Sequence, residues 1–190
     1  MNSSSAKNAD KMLIEKCING DQTSFYVLVE KYHDRCFWTA YKFVHNQEDS
    51  QDIVQEAFLK AFKILYKFDT NRSFFTWLYR IVVNASIDFL RKKNQTSSVN
   101  IDELQEILAD KNADPPSENI ELEERSKWVY NILDMMPEPY KTVLVLRELD
   151  NKSSKDISDS LNIPHATVRW RLHHARKIFK ELWTQYYDKC

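Results

Sequence analysis

A single glycine, Gly20, and five prolines among 190 residues leave little of the material from which tight hairpin turns are made. No run alternates apolar and polar residues convincingly, so a strand-built architecture is set aside. Cysteine is scarce as well. Cys17, Cys36 and Cys190 are far apart, odd in number and without a CxxC pair, which excludes a disulfide framework and points to free thiols in a reducing compartment. Nowhere do roughly eighteen uncharged apolar residues run together, and the opening MNSSSAKNADK lacks the apolar core of a secretory signal. The expectation is a cytoplasmic protein without membrane insertion. His33 and Cys36 lie one helical turn apart, but two ligands do not make a metal site and no second pair is evident. No cofactor, no metal and no catalytic residue is expected.

What the chain does have is helical periodicity, and its 43% hydrophobic residues are enough for real cores. A short helix is read from Asp10 to about Cys17, closing at Gly20. Asp21 or Thr23 then caps a long helix to about His45, with Phe25, Leu28, Val29, Tyr32, Cys36, Ala40, Phe43 and Val44 at three-and-four spacing. Asp49 or Ser50 starts a third helix. Its Ile53, Val54, Ala57, Phe58, Ala61, Phe62 and Leu65 face a core, while Gln51, Asp52, Gln55, Glu56 and Lys60 form a polar surface. After a polar turn, Phe68 to Ser73, a fourth helix runs to about Lys93 with Phe74, Leu78, Ile81, Val82, Ala85 and Phe89 inward. On another face Trp77, Arg80, Asn84, Asp88 and Arg91 recur every three or four residues. An aromatic among cations and amides suits single-stranded nucleic acid, because bases stack while cations hold phosphates. Composition alone, however, favours placing Trp77, Phe74 and Phe75 in the core.

Net charge is −1, and its distribution says more than its total. From Asn94 to Ser126 nine acids face only Lys111 and Arg125, and residues 94–119 lose the helical pattern. They are read as a flexible acidic linker between a first domain, 1–93, and a second, 120–190. The second opens with Leu122, Trp128, Val129, Ile132 and Leu133, is broken at MMPEPY, and resumes as a helix from Tyr140 to Leu149. Ser153 then caps a helix with Ile157 and Leu161 inward, and Asn162-Ile163-Pro164 ends it. The next helix buries Val168, Leu172, Ala175 and Phe179. Its remaining faces carry His165, Thr167, Arg169, Trp170, Arg171, His173, Arg176, Lys177 and Lys180, with no acid from Pro164 to Lys180. By charge alone a solvated basic helix fits as well as a DNA reader; the placement of the turn favours a helix-turn-helix. In such a motif His165, Thr167, Arg169, Trp170 and Arg171 approach base edges or flanking phosphates, and Arg176, Lys177 and Lys180 sit nearer the backbone. The fold expected is all-α: two small helical domains joined by a flexible acidic linker, the second with a helix-turn-helix.

These segments together resemble a known family, the extracytoplasmic-function (ECF) sigma factors of bacterial RNA polymerase. SFYVLVEKYHDRCFWTAYKFV, EDSQDIVQEAFLKAFKILYKF and SFFTWLYRIVVNASIDFLRKK are similar to sigma region two, and ILDMMPEPYKTVLVLRELDNKSSKDISDSLNIPHATVRWRLHHARKIFKEL to region four. The resemblance covers roughly Phe25 to Lys93 and Ile132 to Leu182, in the family's order. It implies that Asp52, Gln55 and Glu56 dock on the clamp helices of the polymerase largest subunit. It implies that Phe68, Asp69, Asn71, Arg72, Ser73, Phe74 and Phe75 open the minus-10 element and capture an extruded base, with Trp77, Arg80, Asn84, Asp88 and Arg91 beside the melting strand. His165, Thr167, Arg169, Trp170, Arg171, His173, Arg176 and Lys177 would read the minus-35 element. The implied partners are core RNA polymerase, through its clamp helices and flap, promoter DNA, and an anti-sigma or other regulatory protein.

Three positions depart from the family pattern. Ser50-Gln51-Asp52 stands where Ala-Glu-Asp is frequent, Asn151 replaces the glycine before the helix-turn-helix, and Trp170 replaces a small residue on the reading surface. The alternative reading, a stand-alone helix-turn-helix transcription regulator, leaves the first domain without a role. A nuclease built on the linker carboxylates lacks histidine support and a preorganised scaffold.

Overall fold

The computed structural model describes residues 3–96 and 118–186, and every regular element among them is helical. The chain divides into two compact units, Met1–Phe89 and Leu90–Cys190. The first comprises α1 (Ser3–Ile18), α2 (Thr23–Val44), α3 (Gln47–Ile64), a 3₁₀ turn (Leu65–Lys67) and most of α4 (Phe74–Thr96). The second holds α5 (Glu118–Met135), α6 (Glu138–Leu144) running into a wider π turn (Val145–Leu149), α7 (Ser154–Leu161) and α8 (His165–Tyr186). Of the linker expected at 94–119, residues 97–117 lie outside the described residues.

Local chemistry explains most boundaries. Gly20, at φ 103°, ends α1 in a conformation that a side chain would strain. Asp21 then accepts the Thr23 N–H at 3.0 Å and the Ser24 hydroxyl at 2.7 Å, so this carboxylate satisfies donors at the start of α2. The start of α3 differs from expectation. Its cap is Asn46, in extended geometry, whose side-chain oxygen accepts the Asp49 N–H at 2.9 Å; Asp49 and Ser50 are already helical. Likewise α1 begins at Ser3 rather than near Asp10.

Leu28, Ala40, Phe43, Ala57, Ala61, Leu78, Val82 and Val83 are fully buried where α2, α3 and α4 meet. Phe62, expected in this core, is 37% exposed; its ring touches the core only edge-on, 5.0 Å from Phe25. Helix α4 is buried over a wider arc than a single stripe, since Tyr79, Ser86 and Ile87 join the inward set, while Ala85 and Phe89 are half-buried. Ser86 meets the polar cost of burial by donating to the Val82 carbonyl at 2.9 Å.

In the second unit Ile132, Val143, Val145, Leu146, Ile157, Val168 and Ala175 form the core. Lys141 is buried with them, its Nζ 2.6 Å from Asp134. Burial holds its pKa below the ordinary lysine value although the Asp134 carboxylate pulls the other way. Ser153 caps α7 in a reciprocal box with Asp156, its hydroxyl accepting the Asp156 N–H at 3.1 Å. At the other end Asn162 adopts φ 52°, and the Ser158 hydroxyl donates to the Ile163 carbonyl at 2.6 Å, fixing the turn into α8. Asn151 takes φ 51°, the left-handed turn expected where the family has glycine.

Candidate nucleic-acid interface

The helical period decides what α8 presents. Val168, Leu172 and Ala175 are buried, and Arg169, His173, Arg176 and Lys177 fall to one side of that stripe. With Lys180, and with Arg147 and Ser154 from the preceding segments, they line a groove of about 540 Å³. The Arg147 Nη1 donates to the Lys152 carbonyl at 2.9 Å, which ties the π turn to the start of α7 and sets the groove's far wall. Arg176 is braced by Glu148, whose Oε1 lies 2.7 Å from Nη2 and 3.2 Å from Nε. Five guanidinium or ammonium groups lining one groove suit a phosphate backbone. Of the other candidates, His165 and Trp170 are exposed and Thr167 and Arg171 half-buried, and none of the four lines this groove.

Trp170 is 53% exposed but not free-standing. Its ring lies 4.2 Å from His174 and 6.0 Å from Tyr140 of α6, while His174 Nδ1 is 2.9 Å from the Trp170 carbonyl. The indole is therefore one edge of a three-ring shelf. His174 and Tyr140 were not singled out by sequence, and Tyr140 lay beyond reach of any local pattern.

In the first unit the turn from Phe68 to Ser73 is built by Asp69. Its carboxylate accepts the Asn71 N–H at 3.0 Å and its carbonyl the Arg72 N–H at 2.9 Å. The Asn71 bond, with smaller help from Arg72, holds the Asp69 carboxyl below the usual range. Ser73 accepts the Thr76 N–H at 3.3 Å and so starts α4. Phe68 and Phe74 are buried and pack on Trp77 at 5.0 and 5.7 Å; of the three residues that composition places in the core, Phe74 is buried while Phe75 and Trp77 are half-buried. Asn84, Asp88 and Arg91 are exposed on the ridge that Trp77 begins. Arg80 belongs to it too, and its Nε is buried without a hydrogen-bond partner among the described residues.

Behind this turn lies a cavity of about 260 Å³ walled by Asp10, Lys11, Tyr32, Arg35, Thr70, Arg72, Phe74 and Phe75 among others. Tyr32 stacks on Phe75 at 5.5 Å, and the Arg35 guanidinium sits 3.5 Å from the Phe75 centroid. The buried Asp10 carboxylate accepts from both the Tyr32 hydroxyl and Lys31. Burial first, then that carboxylate, push the Tyr32 phenol up, so it remains the donor.

On α3 the side chains of Asp52, Gln55 and Glu56 are exposed together, opposite buried Ser50, Ile53, Val54 and Ala57. Leu59, 56% exposed, continues the same line one turn on. Among the described residues no group of three His, Cys, Asp or Glu is arranged for a metal ion, and no helix is long and apolar enough to cross a membrane.

The sequence matches the family described as sigma-70 region 2 over residues 28–96 and the one described as sigma-70, region 4 over residues 126–178. The ECF RNA polymerase sigma factor SigW of Bacillus subtilis (strain 168) is 33% identical over 183 residues, spanning 90% of this chain and 97% of that one. The chain belongs to the ECF sigma factors. The ECF RNA polymerase sigma-E factor of Escherichia coli (strain K12) is 32% identical over 174 residues, 88% of this chain and 91% of the relative. Among solved structures, CnrH in complex with the cytosolic domain of CnrY is similar in fold, with a TM-score of 0.61, 23% identity and coverage of 93% and 98%. The sigma factor RpoE in complex with the anti-sigma factor NepR, from Bartonella quintana, gives a TM-score of 0.58 at 18% identity, covering 84% and 96%.

In this sigma factor the clamp-facing candidates share one exposed face of α3, and the turn candidates converge around Phe68 and Phe74. The minus-35 candidates divide, with Arg169, His173, Arg176 and Lys177 in the groove and His165, Thr167, Trp170 and Arg171 outside it. Sequence reasoning missed Arg147, Leu59 and the α1–α2 wall of the cavity. Asp10, Tyr32 and Arg35 are far in sequence from the turn they face, and periodicity marks Asp10 only as a helix start and Tyr32 only as core.

Proposed function

We propose that this ECF sigma factor acts without catalysis, in the cytoplasm, as an initiation subunit that binds core RNA polymerase, carries it to particular promoters and helps to open them. Asp52, Gln55 and Glu56, extended by Leu59, take the clamp helices. Phe68, Asp69, Asn71, Arg72, Ser73, Phe74 and Phe75 act on the minus-10 element and offset the few kcal/mol that unstacking a base costs. Trp77, Arg80, Asn84, Asp88 and Arg91 lie beside the opened strand. Arg169, His173, Arg176 and Lys177 hold the phosphates around the minus-35 element, and His165, Thr167, Trp170 and Arg171 complete its reading surface.

The observation that carries this reading is the coexistence in one chain of an exposed Asp52-Gln55-Glu56 face on α3 and a cationic groove on α8. A stand-alone regulator needs only the groove. A regulatory protein that masks these faces is a further partner in this reading, supported by the complexes in which CnrH and RpoE were solved. Transcription by purified core polymerase plus this protein on a promoter library is the test. Initiation from a defined subset of promoters is expected; no initiation together with no affinity for core polymerase would return the chain to the stand-alone class.

A further inference from the structure

On α8 the cationic side chains and the aromatic ones lie on different sides. Arg169, His173, Arg176, Lys177 and Lys180 line the groove. Trp170 follows Arg169 by about 100° around the helix, outside that groove and toward the start of α6. Because a small residue stands here in the family pattern, whatever the indole does is particular to this chain.

The ring is held before any ligand arrives. His174 packs against it at 4.2 Å and is itself tied to the Trp170 carbonyl, 2.9 Å from its Nδ1. Tyr140 backs both, 6.0 Å from the indole and 6.4 Å from the imidazole. The shelf therefore spans two helices, and it leaves 53% of Trp170 open to solvent. An indole has a single polar atom, the Nε1–H donor, and the rest of its surface is apolar.

A major groove holds few partners for such a plate. Guanine, adenine and cytosine present hydrogen-bonding atoms there, whereas thymine presents its C5-methyl group beside O4. Over the first three, the indole strips water from polar edges without replacing the lost hydrogen bonds, which is costly. Over thymine it buries a methyl group, which is favourable. With the N-terminal part of α8 in the major groove, both effects favour the same base.

We propose that Trp170, held by Tyr140 and His174, selects thymine at one position of the minus-35 element by contact with its C5-methyl group. The proposal rests on the reading of α8 as the minus-35 helix. Tyr140 and His174 are positioning residues in it, acting through the indole.

The test uses holoenzyme and a promoter that it transcribes. That transcription, and its loss when the minus-35 element is scrambled, checks the initiation reading separately. The probes are duplexes of this promoter in which one thymine at a time, on either strand of the minus-35 element, is replaced by uracil. The replacement removes the methyl group and keeps the base pair. At least one position is expected at which it weakens binding about fourfold, the scale of one buried methyl group. Trp170→Ala should abolish the uracil effect at that position and leave the slope of log K against log salt as in the wild type, because no phosphate contact is lost. Tyr140→Ala should shrink the effect and Tyr140→Phe, which keeps the ring, should restore it. Arg176→Ala with Lys177→Ala should do the reverse of Trp170→Ala, lowering the slope and sparing the uracil effect. Trp170 is exposed, so its substitution does not threaten the core. Equal affinity for thymine and uracil at every position, or a full set of uracil effects surviving in Trp170→Ala, overturns the proposal.

Discussion

Cys36 is 1% exposed, and burial, against a smaller pull from Arg35, pushes its thiol up to about 12. Cys17 is raised too, by burial and then by the Asp21 carboxylate. Thiols held in that state are poor nucleophiles. Brief iodoacetamide treatment at pH 8 should leave both unmodified in the native protein and label both after denaturation, as read by mass spectrometry. Their burial was partly legible, since Cys36 sits on the apolar stripe of α2. Trp170 shows the opposite case. Sequence marks it as a misfit on the reading surface, but its support on Tyr140 comes from a different helix and has no local signature.

At the scale of single elements, the entry to the helix-turn-helix depends on two residues. Asn151, at φ 51°, should accept glycine without loss, whereas Asn151→Ala should cost about 1–2 kcal/mol of stability in thermal unfolding. The bond from the Ser153 hydroxyl holds the Asp156 carboxyl below the ordinary aspartate value of 3.8. Because the folded value is the lower one, this contribution is complete above pH 3.8 and is lost as acidity passes the folded value. Ser153→Ala should cost about 1 kcal/mol near neutrality, and its deficit relative to wild type should shrink in acid melts. The Ser153 cap was legible because its hydroxyl precedes an apolar-periodic run, whereas the reciprocal bond from Asp156 came from the structure. The Asn46 cap was missed because Asp49 and Ser50 are equally good capping types close by, and backbone geometry chose between them. For α8, Arg176→Ala with Lys177→Ala should make the slope of log K against log salt for duplex binding shallower by about two, one for each phosphate contact. An unchanged slope would remove both from the backbone contact. Glu148 holds Arg176 at the groove in the meantime.

For the whole molecule, the proposed function places attachment to polymerase and reading of DNA on different elements, so they should fail separately. Asp52→Arg with Gln55→Ala should weaken holoenzyme formation at least on the order of tenfold, the scale of a charge-assisted contact. Fluorescence anisotropy with labelled core polymerase reads this, and the variant's melting temperature should not move, because both side chains are exposed. By itself the sequence determined that the chain is helical, which stripes are buried, where the helix-turn-helix lies, and the family. All of these follow from spacings of three and four residues, from caps, and from motifs that are continuous in the chain. Only the tertiary structure decided that Phe62 lies at the surface, that Arg147 joins the α8 groove, and that Asp10, Tyr32 and Arg35 close a cavity behind the 68–75 turn. Those results depend on which helix faces cross after the cores have packed, and periodicity along one helix carries no information about its neighbour.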